Sequence, residues 1–270
     1  MSDHDRDEFN RAVSVAREFN PYPGEFLEHE FETYDTLREH LPVARSEAMR
    51  SASLGHGDGG WVVTRYDDGC EILKNSGDFS NQTQNYPVRP WIPQAIDPPL
   101  HTSFRRILNP WFTVDAMTKL EPHLEQYASE LVEKMLQKDA FDFVADFADP
   151  FPTVIFCELA GFPMEDYARI MDWKNLVMHA NDGHPRGDEL AKAKARELGH
   201  EVGDGPLAAE AALAVRAKAA EETYAYFADL LQERRERPKD DLVSKLVQAK
   251  LDDERSLTQE ELEDTLFLLF

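Results

Sequence analysis

The chain has 270 residues, of which 42% are hydrophobic, 10% aromatic and 30% charged, a composition typical of a globular protein with a packed core. Its formal net charge of −23 predicts repulsion from nucleic acid phosphates and from anionic membranes, so we expect neither as a partner. Two cysteines, a polar N-terminus unlike a signal peptide and no apolar run of about 18 residues predict a cytoplasmic protein without disulfides or membrane spans.

Most of the chain has the periodicity of helices. Apolar side chains recur at spacings of three and four residues, as on the buried face of a helix. Two short runs, 42–45 and 61–65, instead predict strands that the glycine-rich stretch 55–60 joins as a hairpin, and a brief strand is expected over 141–144. The predicted fold is therefore mainly α with a small β-sheet portion (α+β). Helices are predicted over residues 1–20, 25–41, 67–74, 97–112, 117–138, 150–161, 167–180, 207–237, 241–250 and 258–270.

Two long segments lack a regular periodicity. Residues 76–99 are rich in Asn, Gln and Pro and predict an irregular connection, while residues 183–206 are polar and predict a mobile loop or lid. The helix after the first connection is expected to start with Asp97 as its N-cap and Pro98 at its first position. The sequence Thr-Gln-Glu-Glu from Thr258 is a capping box that predicts the start of the last helix.

The helix after Asp97 carries two potential cations at a spacing of four residues. His101 and Arg105 therefore project from one face. A helix of this kind can bury one face and offer two hydrogen-bond donors from the other, which favours a large, mostly apolar ligand that carries carboxylates. Without further signals, a His–Arg pair at this spacing is more typical of a solvated surface. The apolar residues of the helix form a separate stripe: Phe104, Ile107, Leu108 and Trp111.

The sequence of this helix is a family signature. Residues 97–108 are Asp-Pro-Pro-Leu-His-Thr-Ser-Phe-Arg-Arg-Ile-Leu, and the aromatic Phe112 follows. This pattern resembles the C-helix signature of soluble, bacterial-type cytochrome P450 enzymes. The resemblance implies a single domain over 1–270 that is the N-terminal portion of the cytochrome P450 fold, truncated early in the family's I helix. Other segments resemble the family in the same order: 61–65 its early strand, 67–75 its B helix, 148–163 its E helix, the flanks of 183–206 its F and G helices, and 257–262 the start of its I helix.

The resemblance implies a cofactor, haem b, whose propionates bind His101 and Arg105. It implies that the whole protein, a cytoplasmic monomer, inserts one atom of O2 into an apolar small-molecule substrate. Electrons would come from NAD(P)H through a reductase and a ferredoxin-type donor that docks near Arg106, although Arg106 is equally compatible with an ordinary surface charge. Neither Cys70 nor Cys157 lies in the family's ligand loop, so no catalytic residue and no metal ligand is expected within the chain.

The iron's cysteine ligand is expected beyond the end of the chain, so the 270 residues alone are expected to be inactive. An alternative is a non-enzymatic helical binding or scaffold protein derived from the same fold. The resemblance also implies a substrate pocket, with wall residues from the connection before the signature and from the last helix. Aromatic residues at such positions are also compatible with plain core. The candidate pocket residues are Tyr86, Trp91, Ile92, Ile96, Phe267 and Phe270.

Overall fold

The computed structural model describes residues 3–21, 28–49, 59–82, 89–180, 185–252 and 254–269. Contacts divide the chain into two compact units, and each is described here by itself. The expectation of a single domain over 1–270 stays a prediction. The described residues are mostly helical with one small sheet, which confirms the predicted fold class. Among them, no helix combines the length and the apolar character that a bilayer span requires.

The first unit comprises residues 1–87 and 95–98. Its two described strands pair antiparallel, with Val43 opposite Val63 and Ser46 opposite Gly60, which confirms the predicted pairing, whereas residues 55–58 of the predicted turn lie outside the described residues. One face of the hairpin is buried against the two helices that precede it, because side chains alternate between the two faces of a strand. The elements are α1 (Asp3–Glu18), α2 (Glu30–His40), β1 (Val43–Ser46), β2 (Gly60–Val63) and α3 (Tyr66–Lys74).

The second unit comprises residues 88–94 and 99–270, and its described regular elements are helices, apart from an isolated antiparallel bridge between Lys250 and Ser256. Its longest helix, α9, contacts α7, α8, α10 and α11, and small alanine side chains let α7, α8 and α9 approach closely. The α-helices are α4 (Leu100–Leu108), α5 (Val114–Met135), α6 (Pro150–Ala160), α7 (Tyr167–Met178), α8 (Pro185–Glu197), α9 (Ala209–Glu236), α10 (Leu242–Gln248) and α11 (Gln259–Leu269). Two 3-10 turns, Asn109–Phe112 and Met164–Asp166, and one π-helical turn, Val144–Ala148, complete the unit.

Two predicted helix starts are wrong. The N-cap of α3 is Arg65, so this helix begins before the predicted residue 67, and Asp67 and Asp68 lie in its first turn. The N-cap of α4 is Pro99, not Asp97. The Asp97 carboxylate accepts instead from the backbone N–H of Asn81 at 2.8 Å and from a serine hydroxyl beside it, because it satisfies a loop in its own unit.

The predicted strand over 141–144 is also wrong. The Asp142 carboxylate accepts from the backbone N–H groups of Val144 and Ala145 at 2.9 and 3.0 Å, as a capping residue does at the start of a helical turn. The chain therefore continues into the π-helical turn Val144–Ala148. Period-two alternation over four residues was too short a signal to outweigh this local capping.

Part of the predicted loop over 183–206 is helical. Residues Pro185–Glu197 form α8, and Ala191 and Ala195, four residues apart, are buried against α7 and α9. Tertiary burial of this narrow alanine stripe stabilises a segment whose overall polarity suggested a loop. The mobility of the remaining segment, 198–206, stays a prediction.

One buried ion pair joins three helix ends. Arg234 in α9, only 1% exposed, donates from Nε to Oδ2 of Asp241 at 2.7 Å and from Nη2 to the backbone carbonyl of Gly161 at 2.6 Å. Asp241 is the N-cap of α10 and accepts from the Ser244 N–H at 2.7 Å. Gly161 ends α6 at a φ of +81°, where a Cβ would meet Asp241, so glycine is required there.

Candidate functional site

The predicted signature helix, α4, buries one face and leaves two hydrogen-bond donors, His101 and Arg105, on another. Ser103, Phe104 and Leu108 are buried, whereas His101 is half-buried and Arg105 is exposed. Within the part of the chain that the structure describes, neither His101 nor Arg105 forms an ion pair or a side-chain hydrogen bond. Both side chains are therefore available to an external acceptor, in a chain that otherwise has a large excess of carboxylates.

Arg106, the predicted docking residue, already has a partner. Its Nη1 donates to Oδ2 of Asp252 at 2.6 Å, and the Ser103 hydroxyl donates to the same oxygen at 2.6 Å. These hydrogen bonds, from Ser103 and Arg106, lower the pKa of the Asp252 carboxyl. The Arg106 side chain is still 65% exposed, so a second partner can reach it.

Two of the predicted pocket residues lie together. The rings of Trp91 and Phe267 have centroids 6.3 Å apart at an interplanar angle of 38°, and Phe267 is buried. Ile92, next in the chain to Trp91, is also buried. The contact between Trp91 and Phe267 joins the segment 89–94 to α11, and we refer to these two residues, together with Ile92 beside Trp91, as the apolar wall.

The other three predicted pocket residues lie outside the second unit or outside the described residues. Ile96 is half-buried and belongs to the first unit, whereas Trp91, Ile92 and Phe267 belong to the second. Tyr86 and Phe270 lie outside the described residues. Their contribution to a pocket stays a prediction.

Two residues next to the apolar wall, Tyr224 and Arg89, were not predicted from the sequence. Tyr224 of α9 stacks on Phe267 with centroids 4.7 Å apart and an interplanar angle of 13°. Arg89 lies over the Tyr224 ring, 4.4 Å from its centroid. The available signal was the pair Glu263–Asp264 next to the apolar second half of the last helix, because buried carboxylates require a cationic or hydrogen-bonding partner.

Arg89 is that partner. Its Nη1 donates to Oε2 of Glu263 at 2.7 Å, its Nε lies 2.7 Å from Oδ1 of Asp264, and its Nη2 donates to the carbonyl of Glu260 at 2.7 Å. Burial raises the pKa of Asp264 even though Arg89 opposes the shift. Burial also raises the pKa of the Tyr224 phenol, which therefore stays neutral.

Neither cysteine has the setting of a reactive thiolate site. Cys157 in α6 is fully buried, and burial raises the pKa of its thiol to about 12, so the thiol stays protonated near neutral pH. Cys70 is half-buried on α3, in the first unit.

No family model matches the sequence, but individual curated proteins do. The chain is 29% identical over 266 residues to the polyketide biosynthesis cytochrome P450 PksS of Bacillus subtilis, covering 93% of this chain and 58% of PksS. It is 32% identical over 240 residues to the mycinamicin IV hydroxylase/epoxidase of Micromonospora griseorubida, covering 86% of this chain and 51% of the relative.

The fold leads to the same family. The solved structure of PksS superposes with a TM-score of 0.69 over 93% of this chain and 57% of that chain, at 29% sequence identity. A mutant of the P450 MycG in complex with mycinamicin IV gives a TM-score of 0.60 over 87% of this chain and 53% of that chain, at 31% identity. The chain thus spans a little over half the length of the curated relatives it matches. Over the length that it spans, the chain belongs to the bacterial cytochrome P450 family.

Proposed function

We propose that the chain is part of a haem-dependent monooxygenase and that α4 supplies its contacts to the haem propionates. The observation that carries the proposal is the pair His101 and Arg105, which lies on one face of α4 without a partner among the described residues. Two donors four residues apart on a helix match two neighbouring carboxylates. The signature sequence in which the pair stands supports the same assignment.

The residues of α4 fit this cofactor chemically. Arg105 offers a planar set of N–H donors that suits a carboxylate, and His101 offers a ring N–H. Phe104 and Leu108, buried on the other face, fix the helix so that these donors point in a constant direction. When bound, haem supplies the activation of O2, and the protein supplies orientation and a dry pocket. The residues of α4 would hold the propionates and exclude rotation of the macrocycle.

The iron's thiolate ligand is proposed to come from the part of the relatives' length that this chain does not span. The protonated, buried thiol of Cys157 does not suit that role. The 270 residues alone are therefore proposed to be inactive.

The substrate is proposed to be an apolar small molecule that contacts the apolar wall. Trp91, Ile92 and Phe267 have apolar or aromatic side chains without a formal charge. One relative is named as a hydroxylase and epoxidase of mycinamicin IV, which supports a small organic substrate. Electrons are proposed to come from a ferredoxin-type donor that docks near Arg106.

The test is a carbon monoxide difference spectrum of the whole gene product, expressed from its complete reading frame and reduced with dithionite. A spectrum typical of a haem-thiolate protein is the expected result. A whole gene product that takes up no haem, or that binds haem without a thiolate signature, would refute the monooxygenase. The first of these outcomes favours a non-enzymatic scaffold of the same fold.

A further inference from the structure

The segment 89–94 runs beside one face of α11. Arg89 contacts Glu263, and Trp91 contacts Phe267, which lies one helical turn further along α11. Four residues of a helix rise about 6 Å, and two residues of chain span at most about 7 Å, so the two spacings match. Contacts of Arg89 and of Trp91 with α11 can therefore form together.

The guanidinium of Arg89 is fixed in three directions. Its three nitrogens reach Glu263, Asp264 and the Glu260 carbonyl, each at 2.7 Å. The two carboxylates are 7% and 5% exposed, so water competes weakly for them and the charge-assisted contacts are strong. A planar fork that meets several acceptors loses its rotational freedom, which a lysine ammonium would retain.

Tyr224 connects this ionic cluster to the apolar wall. One phenol ring contacts both the guanidinium of Arg89, at 4.4 Å, and the ring of Phe267, at 4.7 Å between centroids. The order in space is therefore Arg89, Tyr224, Phe267 and Trp91. Displacement of the guanidinium would remove one support of the stack and release the segment that carries Trp91 and Ile92.

We propose that Arg89 is a positioning residue of the substrate site: it holds Trp91 and Ile92 against α11 and so sets the size of the apolar group that fits. The inference rests on the proposed function, because it takes the apolar wall as a surface for substrate. Arg89 itself is directed toward carboxylates and needs no contact with substrate.

The first arm of the test needs no haem. Hydrogen–deuterium exchange of the backbone amides of Trp91, Ile92 and Gln94 is compared in the chain and in its variants Arg89→Met, Arg89→Lys and Arg235→Met. Arg89→Met should speed exchange in this segment about tenfold, since charge-assisted hydrogen bonds to buried groups are lost. Arg89→Lys should give an intermediate rate. Arg235 is the matched control, because it donates to Gln259 of α11 at 2.6 Å but lies on α9.

The second arm uses the whole gene product loaded with haem. Imidazole and 4-phenylimidazole are titrated spectroscopically, and the ratio of their dissociation constants reports the space available to the phenyl ring. Arg89→Met should change this ratio about tenfold while the affinity for imidazole stays constant, and Arg235→Met should leave both constant. A general structural defect would instead change the dissociation constants of both ligands together.

Three results are separable. Failure of the wild-type gene product to take up haem refutes the proposed function, whatever Arg89 does. Unchanged exchange in Arg89→Met shows that Arg89 does not hold the segment and overturns the inference. Faster exchange with an unchanged ligand ratio also overturns it, because the segment would then move without altering the pocket.

Discussion

Arg106 donates a hydrogen bond to Asp252 at 2.6 Å, so the positive charge of this arginine is compensated within the chain itself. An acidic electron donor that docks on Arg106 must therefore compete with Asp252. Substitution Asp252→Asn should strengthen binding of a ferredoxin-type protein about fivefold at low salt, the magnitude expected for one exposed ion pair. The gain should vanish at high salt, because exposed charges are screened there.

The measurement is a titration of the whole gene product with an acidic ferredoxin at two ionic strengths. Asp229→Asn removes an equal charge from an exposed position on α9 and serves as the control for net charge. Equal affinities of the Asp252 variant and the wild type would exclude competition between Asp252 and the donor.

Arg105 should contribute directly to haem retention. Arg105→Ala is expected to speed haem loss from the whole gene product roughly tenfold to a hundredfold, the range for a charge-assisted hydrogen bond to a partly buried carboxylate. Transfer of haem to excess apomyoglobin measures the rate. Arg106→Ala is the matched variant, because the neighbouring arginine contacts Asp252 and should leave the rate unchanged. Equal rates for both variants would argue against a propionate contact at Arg105.

Loss of Arg234 should destabilise the fold strongly. Arg234→Met leaves the buried Asp241 carboxylate without its cation and removes a donor to the Gly161 carbonyl, so a loss of about 3–5 kcal/mol in the free energy of unfolding is expected. Arg235→Met, at an exposed neighbouring position, should change the free energy of unfolding by only about 0.5 kcal/mol. Urea unfolding followed by circular dichroism gives both values, and similar midpoints for the two variants would contradict the prediction.

The raised pKa of the buried Cys157 thiol predicts that the fold loses stability in alkaline solution. Burial raises the pKa of this thiol from the usual value of 9.0 to about 12, so between these two values the unfolded chain releases a proton that the folded chain retains. Its contribution is therefore fully present below pH 9 and declines as the pH rises towards 12. Cys157→Ala should have a flatter stability profile in this window than the wild type.

Alkylation gives an independent measurement of the same thiol. At pH near 8, iodoacetamide should modify Cys70 readily and Cys157 only after urea is added, because the buried thiol is protonated and inaccessible. Rapid modification of both cysteines in the native chain would show that Cys157 is not buried as described.

The sequence was sufficient to predict features that depend on contacts between residues close together along the chain. The capping box is one case: the Glu261 N–H donates to the Thr258 hydroxyl at 3.2 Å, and the Thr258 N–H donates to the Glu261 carboxylate at 2.8 Å. The end of α6 at Gly161 is another, because a left-handed residue after a helix favours glycine. Such contacts involve a few consecutive residues, so their spacing is visible in the sequence.

Contacts between distant residues were not predictable. Arg89 and Glu263 are 174 positions apart, and nothing in the sequence near either residue specifies the other. The carboxylate of Asp97 was expected to cap α4, yet it accepts from the backbone N–H of Asn81, because two sets of backbone N–H donors compete for this carboxylate and packing decides between them. Helix α8 was missed for a related reason, since burial of two alanines outweighs the polarity of the segment.

Helix α9 is long, and the buried ion pair of Arg234 fixes its C-terminal end. With 28 residues the helix is a rod of about 42 Å, and Tyr224 lies about 15 Å from Arg234 while Ala209 lies about 37 Å from it. A tilt of this rod about Arg234 that shifts Tyr224 would displace the Ala209 end about two and a half times as far. Because buried alanines pack that end against α7 and α8, these contacts oppose such a tilt with the longer lever arm and help to keep Tyr224 in place at the apolar wall.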